Sequence, residues 1–165
     1  MQARMNNPAM VIPEAMQALQ ALGAAVQKGG VPIRTLGLVH MRTSQINGCA
    51  VCLSIHSMVF KEPETEERLT TLAAWRDTTF FTDAERAALA LTEAVTRLSD
   101  RSDPVPDAVW DEAARHYDER GLATLLLSIS ATNVWNRLNV STRQIAGMVT
   151  WPTGKAEKTA VAQHA

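Results

Sequence analysis

The sequence predicts an all-α protein: a single compact domain of about seven helices, with a Cys-x-x-Cys pair at the N-terminus of a buried helix. Apolar residues recur at spacings of three and four through most of the chain, and no segment alternates β-branched and polar residues as a half-buried strand would. We expect the domain to span residues 1–149 and residues 150–165 to form a flexible tail, because Trp151-Pro152 and Gly154 interrupt any helical pattern there.

The predicted helices follow the apolar spacing and local start and stop signals. Their ranges are 13–28, about 32–47, 49–60, 64–75, one opened by Thr82, 107–118 and 119–148. Pro13 suits a first helical turn, Pro63 ends the helix that holds the cysteines, and Thr82 with Glu85 has the spacing of a capping box. The last helix is apolar nearly all round at residues 122–129, so it needs cover on most faces, and contact with another subunit is one way to supply it.

Composition limits the partners that we expect. The 165 residues are 46% hydrophobic and 20% charged, with a formal net charge of −1, which gives no electrostatic case for binding nucleic acid or an anionic membrane. No apolar run approaches the length of a membrane span, and no phosphate-loop or dinucleotide fingerprint calls for a cofactor. The first seven residues are polar rather than signal-like, so we expect a cytoplasmic protein, in which a cysteine pair is more often catalytic than structural.

Both cysteines lie in one short stretch, after the turn signal Asn47-Gly48. Cys49 and Cys52 are three residues apart, and Cys52 and His56 are four apart, so a helix places all three side chains on one face. A thiol reacts as its thiolate. The helix N-terminus favours a thiolate at Cys49, whereas His56 can take a proton from Cys52. The residues themselves therefore leave open which cysteine attacks a substrate.

Three other interpretations of the cysteines compete with a catalytic pair. They can be small buried apolar residues, as free cysteines often are. They can belong to a structural zinc site, but no second Cys-x-x-Cys or His-x-x-x-His follows to complete it. A thioredoxin-like motif would need a strand before the helix, and the surrounding sequence predicts none.

Several segments resemble one known family. The segment Ser44-Gln45-Ile46-Asn47-Gly48-Cys49-x-x-Cys52-x-x-x-His56 resembles the core of the AhpD-like alkylhydroperoxidases, within the carboxymuconolactone decarboxylase family. The resemblance covers about residues 10–148, including Leu72–Arg76, Phe81–Ala90 and Asn133–Asn139. It implies an all-helical fold that assembles into trimers or hexamers, and reduction of a hydroperoxide substrate with electrons from a dithiol donor protein or a small thiol. It also implies that Cys52 reacts with peroxide, and that Cys49 is the resolving and more exposed cysteine.

The sequence departs from this family at two positions. A glutamate of the family's proton relay is replaced by Gly37, and a histidine that some members carry between the cysteines is replaced by Val51. His40 lies three residues after Gly37 on the same helix face and is a candidate substitute in the relay, although a surface position on the helix is an equally good interpretation. Because general base assistance typically contributes about a hundredfold or more, the change at Gly37 predicts that the peroxidase can be slow.

The sequence therefore predicts a thiol-dependent alkylhydroperoxide reductase whose catalytic residues are Cys49, Cys52 and His56. Two alternatives stand beside it. One is a homo-oligomeric protein whose cysteines sense redox state or only pack. The other is a lactone decarboxylase-like enzyme, in which Arg34, Arg42 and Arg137 are the candidates for binding a carboxylate, although Arg42 can instead anchor the turn before Cys49 through salt bridges.

Overall fold

The protein is described here from a computed structural model, which covers residues 1–56, 65–99 and 101–148. These residues form α-helices, one 3-10 helix and no strand, so the all-α prediction is confirmed. The α-helices are α1 (Pro8–Val11), α2 (Pro13–Gln27), α3 (Ile33–Asn47), α4 (Ala50–Ser54), α5 (Glu66–Thr71), α6 (Asp83–Thr96), α7 (Asp107–His116) and α8 (Glu119–Ser141), and the 3-10 helix is Leu72–Asp77. None of them is both long and apolar enough to cross a membrane.

Helix α3 is central, and it packs against both α6 and α8. Its Leu36 and Val39 are fully buried in the main core cluster beside Leu91 of α6 and Ile129 of α8. Its Leu38 packs on the opposite side in a second cluster. Because apolar side chains of α3 enter two cores, the position of its C-terminal end, which leads into the cysteines, is fixed by packing.

The predicted break between the two central helices is confirmed at Gly48. This residue has φ +65° and ψ 33°, a left-handed conformation that glycine adopts without steric penalty, and its N–H donates to the carbonyl of Gln45. The chain turns sharply there, so that Cys49 becomes the N-cap of α4. The turn therefore delivers the first thiol to a helix N-terminus, as the sequence predicts.

Several predicted boundaries agree with the structure. Helices α2, α3 and α7 lie within two residues of their predicted ranges, and the capping box of Thr82 and Glu85 opens α6. The predicted Cys helix, 49–60, is wrong in extent, because α4 ends at Ser54 with Ile55 as its C-cap, and His56 lies beyond that cap rather than on the same helix. Residues 57–60 of this prediction, like the predicted tail 150–165, fall outside the described residues. The short α1, capped by the side chain of Asn7, was not predicted, because Ile12-Pro13 leaves it too few residues for a periodic pattern.

Two predicted helices are wrong in part. The helix predicted over 64–75 is a short α5 followed by a 3-10 helix that continues to Asp77, with a non-helical Ala74 at φ −114° and ψ 32°. The kink accompanies the burial of Trp75, which joins the second core cluster. The helix predicted to reach Met148 ends at Ser141, where the N-terminal segment binds: the N–H of Arg4 donates to the carbonyl of Thr142. This long-range contact is not visible in local sequence.

Candidate active site

The two cysteines form a reduced, buried thiol pair. Their Sγ atoms are 2.7 Å apart, within hydrogen-bonding distance, and the Cys49 Sγ accepts the backbone N–H of Cys52 at 3.3 Å. Each residue is 1% exposed, so the expectation that Cys49 is the more exposed of the two is wrong for this chain. A disulfide bond is about 2.05 Å long, so only a small movement separates this pair from the bonded state.

The hydrogen bonds place negative charge on Cys49. Donation from the Cys52 thiol is the largest cause that lowers the pKa of Cys49 to about 6, with further contributions from the Cys52 N–H and Asn139 acting against the effect of burial. The pKa of Cys52 is raised, because its thiol is the donor in that bond and because it lies buried beside the Cys49 charge. Both shifts favour a thiolate on Cys49 over one on Cys52, the opposite distribution from the one that the family resemblance implies.

His40 and His56 are brought together behind the thiols. Their rings stack with centroids 6.1 Å apart, and both residues are 7% exposed, so His40 is not a surface histidine. The Nε2 of His40 lies 3.1 Å from the carbonyl oxygen of Cys52. Because a carbonyl only accepts, the hydrogen of the neutral ring belongs on Nε2, where it holds the Cys52 backbone. Gly37, on the same helix, offers no side chain to the site.

Burial of His40 gives a prediction for stability against pH. Desolvation is the largest cause that lowers its pKa from 6.5 to about 4. Between these values the unfolded chain binds a proton that the folded chain does not, so stability is lost as pH falls from about 6.5 to 4. At about 1.4 kcal/mol per pKa unit, the loss approaches 3 kcal/mol.

We expect His40→Gln, which keeps an N–H donor but does not titrate, to flatten the fall in stability across this pH window. Urea unfolding of both proteins from pH 7.5 to 4 measures it. Equal pH slopes in the two proteins would show that His40 does not take up its proton on unfolding.

A cluster of asparagines lies against the thiols, and sequence reasoning assigned none of them to the site. Asn139 donates from Nδ2 to Cys52 Sγ at 3.4 Å and to Cys49 Sγ at 3.8 Å. Asn136, one turn earlier, donates to Ser44 Oγ, and Asn47 donates to Asn136 and Asn133 across the helix junction, as predicted for Asn47. The signal was present in the sequence, since asparagines at 133, 136 and 139 recur at a spacing of three, which places them on one side of a helix.

The candidate arginines have separate roles. Arg42 forms a salt bridge with Glu93 at 2.6 Å and donates to Gln45, which bears out its anchoring interpretation. Arg137 donates to the carbonyl and side chain of Asn133. Arg34 lines a cavity of about 630 Å³ whose lining residues include neither cysteine. The structure therefore does not show the three arginines forming one carboxylate-binding site.

Comparison with known proteins identifies the family. A family model for carboxymuconolactone decarboxylases matches residues 13–94. YdfG of Bacillus subtilis, an uncharacterised protein, is 34% identical over 132 residues, covering 79% of this chain and 88% of that protein. The chain belongs to the carboxymuconolactone decarboxylase family. A second relative, the uncharacterised protein YnjA of Escherichia coli, is 34% identical over 103 residues, covering 62% of this chain and 55% of that protein.

Solved structures agree on the fold of this carboxymuconolactone decarboxylase family member. ATU0492 of Agrobacterium tumefaciens, a protein of unknown function suggested to be the antioxidant defence protein AhpD, superposes with a TM-score of 0.81 at 30% identity, covering 90% of this chain and all of its own. The apo form of the debrominase Bmp8 superposes with a TM-score of 0.70 at 22% identity, covering 82% of this chain and 73% of its own. The second similarity concerns the fold alone.

Proposed function

We propose that this protein is a thiol-dependent hydroperoxide reductase. The observation that carries the proposal is the contact between the two sulfurs, 2.7 Å apart, with the hydrogen bonds favouring a thiolate on one of them. A thiolate is the nucleophile that opens a peroxide bond, and a second thiol in contact can resolve the oxidised product. Membership of the family and the similarity to the suggested antioxidant protein of Agrobacterium support the same chemistry.

The reaction begins with the Cys49 thiolate, which attacks the terminal oxygen of the hydroperoxide. The O–O bond breaks, the alkoxide leaves and takes a proton to become the alcohol, and Cys49 becomes a sulfenic acid. Cys52 then loses its proton and attacks the Cys49 sulfur, so that the S–S bond forms, the S–O bond breaks and water leaves. An external dithiol, either a protein or a small thiol, supplies two electrons and returns the pair to its reduced state.

In this scheme His56 receives the Cys52 proton, and His40 holds the backbone of Cys52 in place. The case for His56 is its position four residues after Cys52, its burial and its stacking against His40. His40 donates from Nε2 to the Cys52 carbonyl, and burial keeps its ring neutral, so it positions the Cys52 backbone while His56 takes the proton. These roles replace the relay glutamate for which Gly37 provides no side chain.

The exposed apolar face of α8 supports assembly into a homo-oligomer, the trimer or hexamer that the resemblance implies. Leu127 and Val134, seven residues apart and therefore on one side of the helix that carries Asn139, are 47% and 40% exposed. Association of several copies would cover these side chains.

A thiol count tests the function. Reduced protein is given one equivalent of an organic hydroperoxide, and free thiols are counted over time in the parent, in Cys49→Ser and in Cys52→Ser. We expect the parent to lose two thiols rapidly and to recover both with a dithiol. Survival of both thiols in the parent would contradict the peroxidase and favour a sensing or packing role.

The same variants test the order of attack. Because charge is placed on Cys49, we expect Cys52→Ser to accumulate a sulfenic acid at Cys49, detected by a sulfenic-acid-specific label and peptide mapping. We expect Cys49→Ser to react at least tenfold more slowly, since it removes the thiol of lowered pKa and leaves Cys52, whose burial disfavours the thiolate. The reverse pattern of labelling would assign the attack to Cys52, as the resemblance implies. It would contradict the order of attack but not the proposed peroxidase function.

A further inference from the structure

One side-chain amide contacts both sulfurs. Asn139 is 2% exposed, and its Nδ2 lies 3.4 Å from Cys52 Sγ and 3.8 Å from Cys49 Sγ. A carboxamide has no proton to lose near neutral pH, so it remains a donor at every step of a thiol reaction. Its position between the sulfurs allows it to serve either one as negative charge moves from the first cysteine to the second.

The orientation of this amide is fixed by a chain of hydrogen bonds that begins at a backbone group. The N–H of Ala9 donates to Asn7 Oδ1 at 2.9 Å. A backbone N–H can only donate, so the oxygen of Asn7 must face Ala9 and its Nδ2 must face Asn139. Asn7 Nδ2 donates to Asn139 Oδ1 at 2.8 Å, which leaves Asn139 Nδ2 to face the sulfurs.

This chain of donors joins distant parts of the sequence. Asn7 is 1% exposed and caps α1, while Asn139 lies in the last turns of α8, 132 positions later. A buried amide held by a second buried amide loses little further freedom when it stabilises a charge, which is the condition for effective electrostatic preorganisation. The cap of α1 thereby acts on the thiols without touching them.

We propose that Asn139 is a catalytic residue of this thiol site, whose amide stabilises the thiolate on either cysteine, and that Asn7 is a positioning residue that keeps the Asn139 amide turned towards the sulfurs. The inference concerns the thiol pair on which the proposed peroxidase rests. It is tested by alkylation, which needs no peroxide, so its failure and the failure of the peroxidase can be told apart.

The test measures the rate of iodoacetamide alkylation against pH, with peptide mapping to follow Cys49. Asn139→Leu removes the donor without adding charge and nearly preserves volume. Asn7→Ser keeps a hydroxyl that can accept the Ala9 N–H but removes the donor to Asn139. Thr132→Val is the matched control, because Thr132 is a buried polar residue of the same helix whose hydroxyl bonds the Ser128 carbonyl and no asparagine of the cluster.

We expect the Cys49 midpoint, near pH 6 in the parent, to rise by about one unit or more in Asn139→Leu and by a smaller amount in Asn7→Ser. Thr132→Val should keep the parent midpoint, and thermal unfolding identifies any variant that fails to fold. Asn7→Ser leaves both sulfurs and Asn139 in place, so it keeps the test decisive if Asn139→Leu is unstable. Parent midpoints in both asparagine variants would overturn the proposal, and an equal shift in Thr132→Val would reduce it to a general packing effect.

Discussion

Replacing Cys52 by alanine is expected to raise the pKa of the Cys49 thiol from about 6 towards its ordinary value of about 8.5. The Cys52 thiol is the largest cause of the lowered pKa, and alanine removes that donor while leaving the backbone N–H at position 52 in place. We expect a rise of at least one unit. Cys52→Ser is the matched control, since a hydroxyl of nearly the same size still donates.

The midpoint of alkylation against pH is the correct measurement for this prediction, because the rate at one pH is misleading. As the pKa rises, less thiolate is present, but each thiolate is intrinsically more nucleophilic, and the two effects partly cancel. We expect midpoints in the order parent, serine variant, alanine variant. Identical midpoints in all three proteins would mean that the Cys52 thiol does not stabilise the Cys49 charge.

Replacing Glu93 by alanine is expected to destabilise the fold by about 3 kcal/mol, the low end of the usual effect of removing one partner from a buried ion pair, because this cluster is only partly buried. The Glu93 side chain is 11% exposed and accepts from Arg42, Trp75 and Arg76 at 2.6–3.0 Å. Its own pKa is lowered because these donors outweigh the desolvation that burial imposes. Arg42 lies on α3, the helix that ends at the Gly48 turn. Loss of its ion pair with Glu93 should therefore also weaken the packing that holds the thiol site.

The matched control for Glu93 is Glu112, which pairs on the surface with Arg115 and His116 within α7. Exposed pairs contribute about 0–1 kcal/mol, so Glu112→Ala should change the free energy of unfolding little. Chemical denaturation of the two variants and the parent measures both effects. A similar small loss in the two variants would show that the Glu93 cluster behaves as an ordinary surface pair.

Much of the thiol site was predictable because its signals are local. Cys49, Cys52 and the Asn47-Gly48 break lie within six residues, so a turn and the start of one helix bring the two thiols together. His56 follows the C-cap of that helix, so its position did not follow from helical spacing. The capping box of Thr82 and Glu85 was predictable for the same reason. Helices α2, α3 and α7 followed from periodic apolar residues that the core must bury.

The distribution of charge between the thiols depends on contact distances and hydrogen-bond donors that the sequence does not reveal. Two local influences pointed to different cysteines, and their balance was decided by the 2.7 Å contact between the sulfurs and by the donor from Asn139. The burial of His40, which lies one turn from predicted core residues, depended on how α3 packs against its neighbours.

The sequence by itself determined the helical class, the break before Cys49 and the closeness of the two cysteines, because each depends on residues near one another in the chain. Only the tertiary structure decided that α8 ends at Ser141 and that Glu93 forms salt bridges with arginines of other elements. It also decided that Asn7 holds the Asn139 amide towards the sulfurs. The physical reason is separation. A hydrogen bond across 132 positions forms only after the helices have packed, and no local pattern records which buried amide will meet which sulfur.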